Sequence, residues 1–154
     1  MTLPPFQQLL DSYGRDVHRF LRASVGQLDA DDVYQETWLS ALRAYPQLKD
    51  ASNLRGWVFT VAHRKVIDHS RSRRRRPIPV DQLPEAATHP SPWPDDELWS
   101  EVARLPAKQR TSLALRYVVD ASYADIASAM GTSTEAARRS VHEAVKRLRE
   151  ELSQ

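Results

Sequence analysis

The sequence predicts an all-α protein made of two small helical domains joined by a proline-rich linker. Three observations predict it. Apolar residues recur at three- and four-residue intervals on both sides of residues 77–94. Ten prolines outnumber four glycines, which suits helices separated by breaks better than a sheet with many tight turns. Six of those prolines lie between Pro77 and Pro94, a run without Lys or Arg that cannot sustain a helix and favours extended chain. The expected domains are therefore residues 1–76 and 95–154, with 77–94 as the linker.

In the first domain, Phe6, Leu9, Leu10, Tyr13, Val17, Phe20, Leu21 and Val25 share one face of a first helix that closes near Gly26. Asp29 is placed to cap a second helix, roughly Ala30–Tyr45, with Asp31 and Asp32 in its acid-favouring first turn. That helix is expected to bury Val33, Trp38, Ala41, Leu42 and Tyr45 and to stop at Pro46. After a short polar loop, Gln47–Ser52, a third helix begins at Asn53 with Leu54, Trp57, Val58, Val61 and Ala62 at helical spacing.

In the second domain, Leu98, Val102 and Leu105 lie on one face before Pro106, which suits the first turn of the next helix. Leu113, Ala114, Leu115, Tyr117 and Val118 are the next expected buried surface. Ser122 then caps a short helix with Asp125 at its capping-box position, and Ala124, Ile126, Ala127 and Met130 fill its inner face. Gly131 ends it, Ser133 or Thr134 caps a long final helix, and Ala137, Val141, Ala144, Val145 and Leu148 line that helix. A short helix, a glycine turn and a second helix with small inner residues form the helix-turn-helix signature.

Composition narrows the function. There are no cysteines, so disulfides, thiolate zinc sites and cysteine nucleophiles are excluded. The five histidines, His18, His63, His69, His89 and His142, have neither zinc nor triad spacing, and no HExxH, phosphate-binding glycine loop or GxSxG occurs. No metal, cofactor or catalytic residue is expected, and the protein is not expected to be an enzyme. The N-terminal MTLPPFQQLLDSYGRD has no basic start and no apolar core, so it does not resemble a signal peptide. Nor does any window approach a membrane span. A cytoplasmic protein is the expectation.

The net charge of +2 hides an uneven distribution. Residues 55–76 carry eight Lys/Arg against one acid, Asp68, and end in four consecutive arginines, Arg73 to Arg76. Residues 77–101 carry no Lys/Arg against six acids, and residues 102–154 carry nine against six. A cationic helix anchored at its apolar end is suited to follow a phosphate backbone, but a solvated helix end with a basic tail has the same composition. The helix-turn-helix is more specific. Its outward residues, Ser133, Thr134, Glu135, Arg138, Arg139 and His142, include groups that hold guanine, cytosine or phosphate, although a purely structural hairpin would also expose them.

Three segments together, DDVYQETWLSALRAY at 31–45, LRGWVFTVAHRKVIDHSRSRRR at 54–75 and LPAKQRTSLALRYVVDASYADIASAMGTS at 105–133, resemble the extracytoplasmic-function (ECF) sigma factors of bacterial RNA polymerase. The resemblance runs from Phe6 to Leu152 in the family's order. It implies that the first domain is sigma region 2, whose DxxQE-type helix binds the clamp coiled coil of the polymerase β′ subunit through Asp32, Gln35, Glu36 and Leu39, with Arg43 as a weaker candidate. It also implies that the third helix melts and reads the −10 promoter element. There His63, Arg64, Lys65, Asp68, His69 and Arg71 face DNA, and the Gln47–Asn53 loop helps to hold unstacked bases. Many family members have ARN where this chain has Ala62-His63-Arg64, so an altered −10 preference follows. The second domain is then sigma region 4, docking on the β flap and placing Ser133, Thr134, Glu135, Arg138, Arg139 and His142 in the −35 major groove. Glu135 and Glu143 depart from the family's GTVKSRLHRA run.

The implied partners are core RNA polymerase, promoter DNA and, as for many family members, an anti-sigma factor packed between the domains. The linker would lie near the RNA path. Two rivals remain. A stand-alone helix-turn-helix repressor or activator, whose N-terminal helices sense or dimerise, explains 105–150 but leaves the 31–45 and 54–75 motifs without a purpose. A regulator of polymerase shares the core contact but should lack a DNA-reading helix.

Overall fold

The computed structural model describes residues 2–75 and 96–153, and the expected linker and Arg76 lie outside them. The described residues form seven α-helices and one 3-10 turn: α1 (Phe6–Val25), α2 (Gln27–Ala44), the turn Tyr45–Gln47, α3 (Leu54–Arg75), α4 (Asp96–Arg104), α5 (Ala107–Tyr117), α6 (Tyr123–Met130) and α7 (Thr134–Leu152). The all-α fold class is as the periodicity predicted.

Helices α1, α2 and α3 pack on one another. Their shared interior holds Leu9, Val17, Phe20, Leu21, Val33, Trp38, Ala41, Val58, Phe59 and Val66, all nearly or fully buried. Aromatic rings meet edge to face within it, Phe20 with Phe59 at 5.8 Å and Phe6 with Trp38 at 5.8 Å. Such pairs add to the apolar burial because ring edges are positive and faces negative. Tyr45, in the 3-10 turn, leans on Phe6 and Trp57 and donates its hydroxyl to the Pro4 carbonyl, tying the start of the chain to the end of α2.

Helices α4, α5 and α6 pack against α7, and α5 also meets α6. Ser112 Oγ donates to Ser140 Oγ at 2.9 Å, crossing α5 to α7. Arg110 Nη1 donates to the carbonyls of Ala103 at 3.1 Å and Leu105 at 3.3 Å, so one cation satisfies orphan carbonyls at the end of α4. The two helical groups also touch: α3 lies on α6, and α1 on α4 and α5. The main apolar cluster therefore runs on from α1–α3 into Leu115, Val118, Ile126, Ala127 and Val141.

Several expectations are corrected at residue level. Gly26, not Asp29, is the N-cap of α2, so the helix starts at Gln27 and Asp29 falls in its first turn. Helix α2 does stop ahead of Pro46, at Ala44 rather than Tyr45, and Pro46 is taken up in the 3-10 turn that follows. Leu42 is half exposed, because the buried stripe of α2 is Ala30, Val33, Thr37, Trp38 and Ala41, and one residue further turns the side chain away. Tyr117 and Ala124 are exposed as well. Pro106 is the N-cap of α5 rather than a residue of its first turn.

Candidate nucleic-acid interface

The helix-turn-helix is built by its end residues. Ser122 Oγ accepts from the Asp125 amide at 3.1 Å and starts α6. Gly131 ends it in the left-handed conformation, with φ of 65°, which glycine adopts without a Cβ penalty. Ser133 Oγ accepts from the Ala136 amide at 3.0 Å and starts α7, so Ser133 rather than Thr134 is the cap. With Ala137, Val141 and Ala144 turned inward, Ser133, Thr134, Glu135, Arg138, Arg139 and His142 are all exposed. The six expected −35 residues therefore share the outer side of one helix start.

Two residues beside them had no signal in the sequence. The Arg138 guanidinium lies 5.1 Å from the centre of the Tyr123 ring, and the Arg116 guanidinium lies 4.6 Å from it. Arg116 Nη1 also donates to the Ala121 carbonyl at 3.1 Å. Three residues from three successive helices thus meet at the start of α6.

On α3 the expected DNA-facing set divides. Arg64, Asp68 and Arg71 are exposed. Lys65 lies 4.0 Å from Asp68, a long pair one turn on. His69 Nε2 lies 3.2 Å from Asp29 Oδ2, facing α2. His63 departs from the expectation: it is 9% exposed, and its Nδ1 has no hydrogen-bond partner. Burial, with Arg64 adding a smaller repulsion, pushes its pKa below the usual histidine value. The reason is that α3 packs on α1, α2 and α6, so its covered surface is wider than the single stripe that the apolar spacing marks.

The loop ahead of α3 is also occupied. Asn53 Oδ1 accepts from the Gly56 amide at 3.0 Å, capping the helix, and its Nδ2 donates to Asp125 Oδ1 at 2.9 Å. Arg55 donates to the Val119 carbonyl and lies 3.9 Å from Asp16.

Helix α2 presents Asp32, Gln35, Glu36 and Leu39 on one outward face, at i, i+3, i+4 and i+7, with Arg43 on the next turn. Leu28, Leu39 and Leu42 are respectively 60%, 52% and 50% exposed, three large apolar side chains beside a carboxylate and amide row. A second apolar surface is a groove of about 500 Å³ lined by Leu98, Val102, Leu113, Val118, Val145 and Leu148. Among the described residues no group of His, Cys, Asp or Glu is arranged to hold a metal ion, and no helix is long and apolar enough to cross a membrane.

An acidic-apolar face on one helix, a cationic helix after it and a capped helix-turn-helix are the order of parts in one known family. The profile of Sigma-70 region 2 matches residues 9–76, and that of Sigma-70 region 4 matches residues 95–148. The chain belongs to the sigma-70 family. Within it, the relatives are ECF sigma factors. The ECF RNA polymerase sigma factor SigD of Mycobacterium tuberculosis is 34% identical over 167 residues, covering 95% of this chain and 76% of that protein. The ECF sigma factor ShbA of Streptomyces griseus is 31% identical over 157 residues, covering 85% and 78%. Among solved structures, the sigma factor RpoE of Bartonella quintana, in complex with the anti-sigma factor NepR, matches with a TM-score of 0.81 at 25% identity over 96% of each chain. CnrH, solved with the cytosolic domain of CnrY, shares the fold, with a TM-score of 0.72 at 21% identity. This ECF sigma factor directs RNA polymerase to promoters.

Proposed function

We infer that this sigma factor holds core polymerase through two surfaces and promoter DNA through two others. Asp32, Gln35, Glu36 and Leu39 bind the β′ clamp coiled coil. Exposed leucines supply apolar area there, while the carboxylates and the amide set register against a basic partner helix. The apolar groove between α4, α5 and α7 takes the β flap. Helix α7 enters the −35 major groove, where Arg138 and Arg139 reach base edges or phosphates and the start of the helix favours phosphate. Arg64, Lys65 and Arg71 follow the −10 strand, with Asp68 and His69 on the same helix. Stacking of an extruded base on an aromatic is worth roughly 1–3 kcal/mol, comparable with the few kcal/mol needed to unstack it. His63 is left out of the contact set in this arrangement.

The observation that carries this reading is the α2 face. Leu28, Leu39 and Leu42 stand half exposed or more beside Asp32, Gln35 and Glu36 on a helix whose other side is fully committed to the core. A stand-alone repressor whose N-terminal helices sense or dimerise could use such an apolar face, but it leaves the Asp32, Gln35 and Glu36 row without a purpose. The protein itself performs no chemistry, acts in the cytoplasm where the polymerase works, and is a candidate for control by an anti-sigma factor of the kind seen bound to RpoE.

Run-off transcription on genomic DNA with purified core polymerase tests the reading. Mapped start sites should share two spaced upstream elements, and omission of the protein should abolish those transcripts. Specific binding of operator DNA by the protein alone, with no transcripts from added core, would support the repressor instead.

A further inference from the structure

We propose that Tyr123 is a positioning residue for −35 recognition, holding the Arg138 guanidinium in the orientation from which it meets DNA. The inference rests on the reading of Arg138 as a −35 contact. Arg138 is exposed on the second turn of α7, and an exposed arginine samples many rotamers whose freedom is lost on binding. Here it lies over an aromatic ring at 5.1 Å, inside the range at which a ring face attracts a cation.

The ring has its own supports. Tyr123 is half-buried at the first position of α6, directly after the Ser122 cap, and packs against the main apolar cluster. Arg116 engages the same ring at 4.6 Å while donating to the Ala121 carbonyl in the segment leading into α6. The order of attachment runs from the end of α5, through Arg116 and the ring, to the outward face of α7. Two guanidinium groups around one ring also concentrate positive charge where phosphates or guanine acceptors would arrive. Tyr123 thus fixes the geometry of Arg138 before DNA binds, so less freedom is lost on binding.

The alternative is that Tyr123 only fills space between α6 and α7. Holoenzyme assembled from core polymerase and full-length protein separates the two. The probes are the −35 duplex selected from a randomised library by the wild-type holoenzyme, and the same duplex with that element scrambled. Tyr123→Leu keeps apolar bulk but removes the ring face; it should lower the preference for the selected duplex about two- to five-fold. Tyr123→Phe should restore it, since the hydroxyl is not used.

Combined with Arg138→Ala, the leucine variant should lose nothing further, because the ring acts through that arginine. Additive losses would overturn the proposal. Should Tyr123→Leu fail to fold, a series of fluorinated phenylalanines at position 123 keeps the shape while weakening the ring's attraction for cations. Preference should then fall with each added fluorine, and a flat series would overturn the proposal. If Arg138→Ala itself leaves the preference unchanged, the underlying −35 assignment fails, a result distinct from additivity.

Discussion

The side-chain amide of Asn53 joins two helices at once: its oxygen accepts from the Gly56 amide at 3.0 Å and its nitrogen donates to Asp125 of α6 at 2.9 Å. The cap that starts the proposed strand-opening helix is therefore also a tie to the helix-turn-helix. Arg55, bonded to the Val119 carbonyl, reinforces the same junction. In this arrangement the end of the loop ahead of α3 faces α6.

The double use of Asn53 gives an ordering of variants. Asp125→Ala removes the tie, an exposed hydrogen bond worth about 0.5–1.5 kcal/mol, and an acid in the first turn of α6 worth about 0.3–1 kcal/mol. Asn53→Ala removes the tie and the cap, and a missing cap costs about 1 kcal/mol more. Thermal unfolding should rank wild type above Asp125→Ala above Asn53→Ala, and amides at the start of α6 should exchange faster in both variants. Equal melting temperatures for the two variants would show that the cap contributes no more than the first-turn acid of α6.

Polymerase docking is tested on α2. Replacing Gln35 and Glu36 together with alanine should reduce affinity for core polymerase at least several-fold, and Leu39→Ala should do so independently. These residues are exposed, so the unfolding free energy should stay within about 0.5 kcal/mol of wild type. Core affinity equal to wild type in both variants would remove the role from this face.

The recognition helix is tested by Arg138→Ala with Arg139→Ala. Transcription that depends on the −35 element should fall while core binding is retained. Where either arginine meets a phosphate, the slope of log affinity against log salt should become shallower by about 0.9 for each duplex phosphate no longer neutralised. A matching fall in core affinity would move these arginines from DNA to polymerase.

Much of this was legible because it is local. Ser122 meets the Asp125 amide and Ser133 the Ala136 amide, each three residues on, with Gly131 between them, so the helix-turn-helix could be read with its caps. The α2 face was legible for a related reason: Asp32, Gln35, Glu36 and Leu39 follow helical spacing once the helix is placed. What was hidden depends on a third neighbour. His63 sits outside the main apolar stripe of α3 and is covered because that helix meets α6 as well as α1 and α2. Tyr123 gained its meaning from Arg116 and Arg138, which no spacing rule connects to it. Leu42 was assigned inward by hydrophobicity alone, and the surface where it actually stands is the one proposed for the partner.

Gly131 offers a stability test free of packing changes. A Cβ built there meets nothing within 4 Å, but the residue has a φ of 65°. Gly131→Ala therefore changes backbone strain alone and should cost roughly 1 kcal/mol. Gly131→Asn should cost less, because asparagine tolerates the left-handed region. Denaturant unfolding measures both, and an alanine variant as stable as wild type would show that the turn relaxes to another conformation.

His63 predicts a pH dependence whose sign is fixed by its burial. In the unfolded chain it titrates near 6.5, whereas in the fold its pKa is lowered by desolvation first and by Arg64 second. Between the two values the unfolded chain holds a proton that the folded chain does not, so unfolding free energy rises with pH through that window. The stabilisation is complete above about pH 6.5 and is lost as pH falls towards the folded value. His18 lies beside Asp31 and His69 beside Asp29. They are present in wild type and variant alike, so the difference between the two isolates His63. Denaturant titrations across this range should show a shallower acid loss in His63→Gln than in wild type, whatever the variant's stability at neutral pH. Parallel curves would mean that His63 opens to solvent and protonates in the folded protein, which would return it to the surface proposed to face the −10 strand.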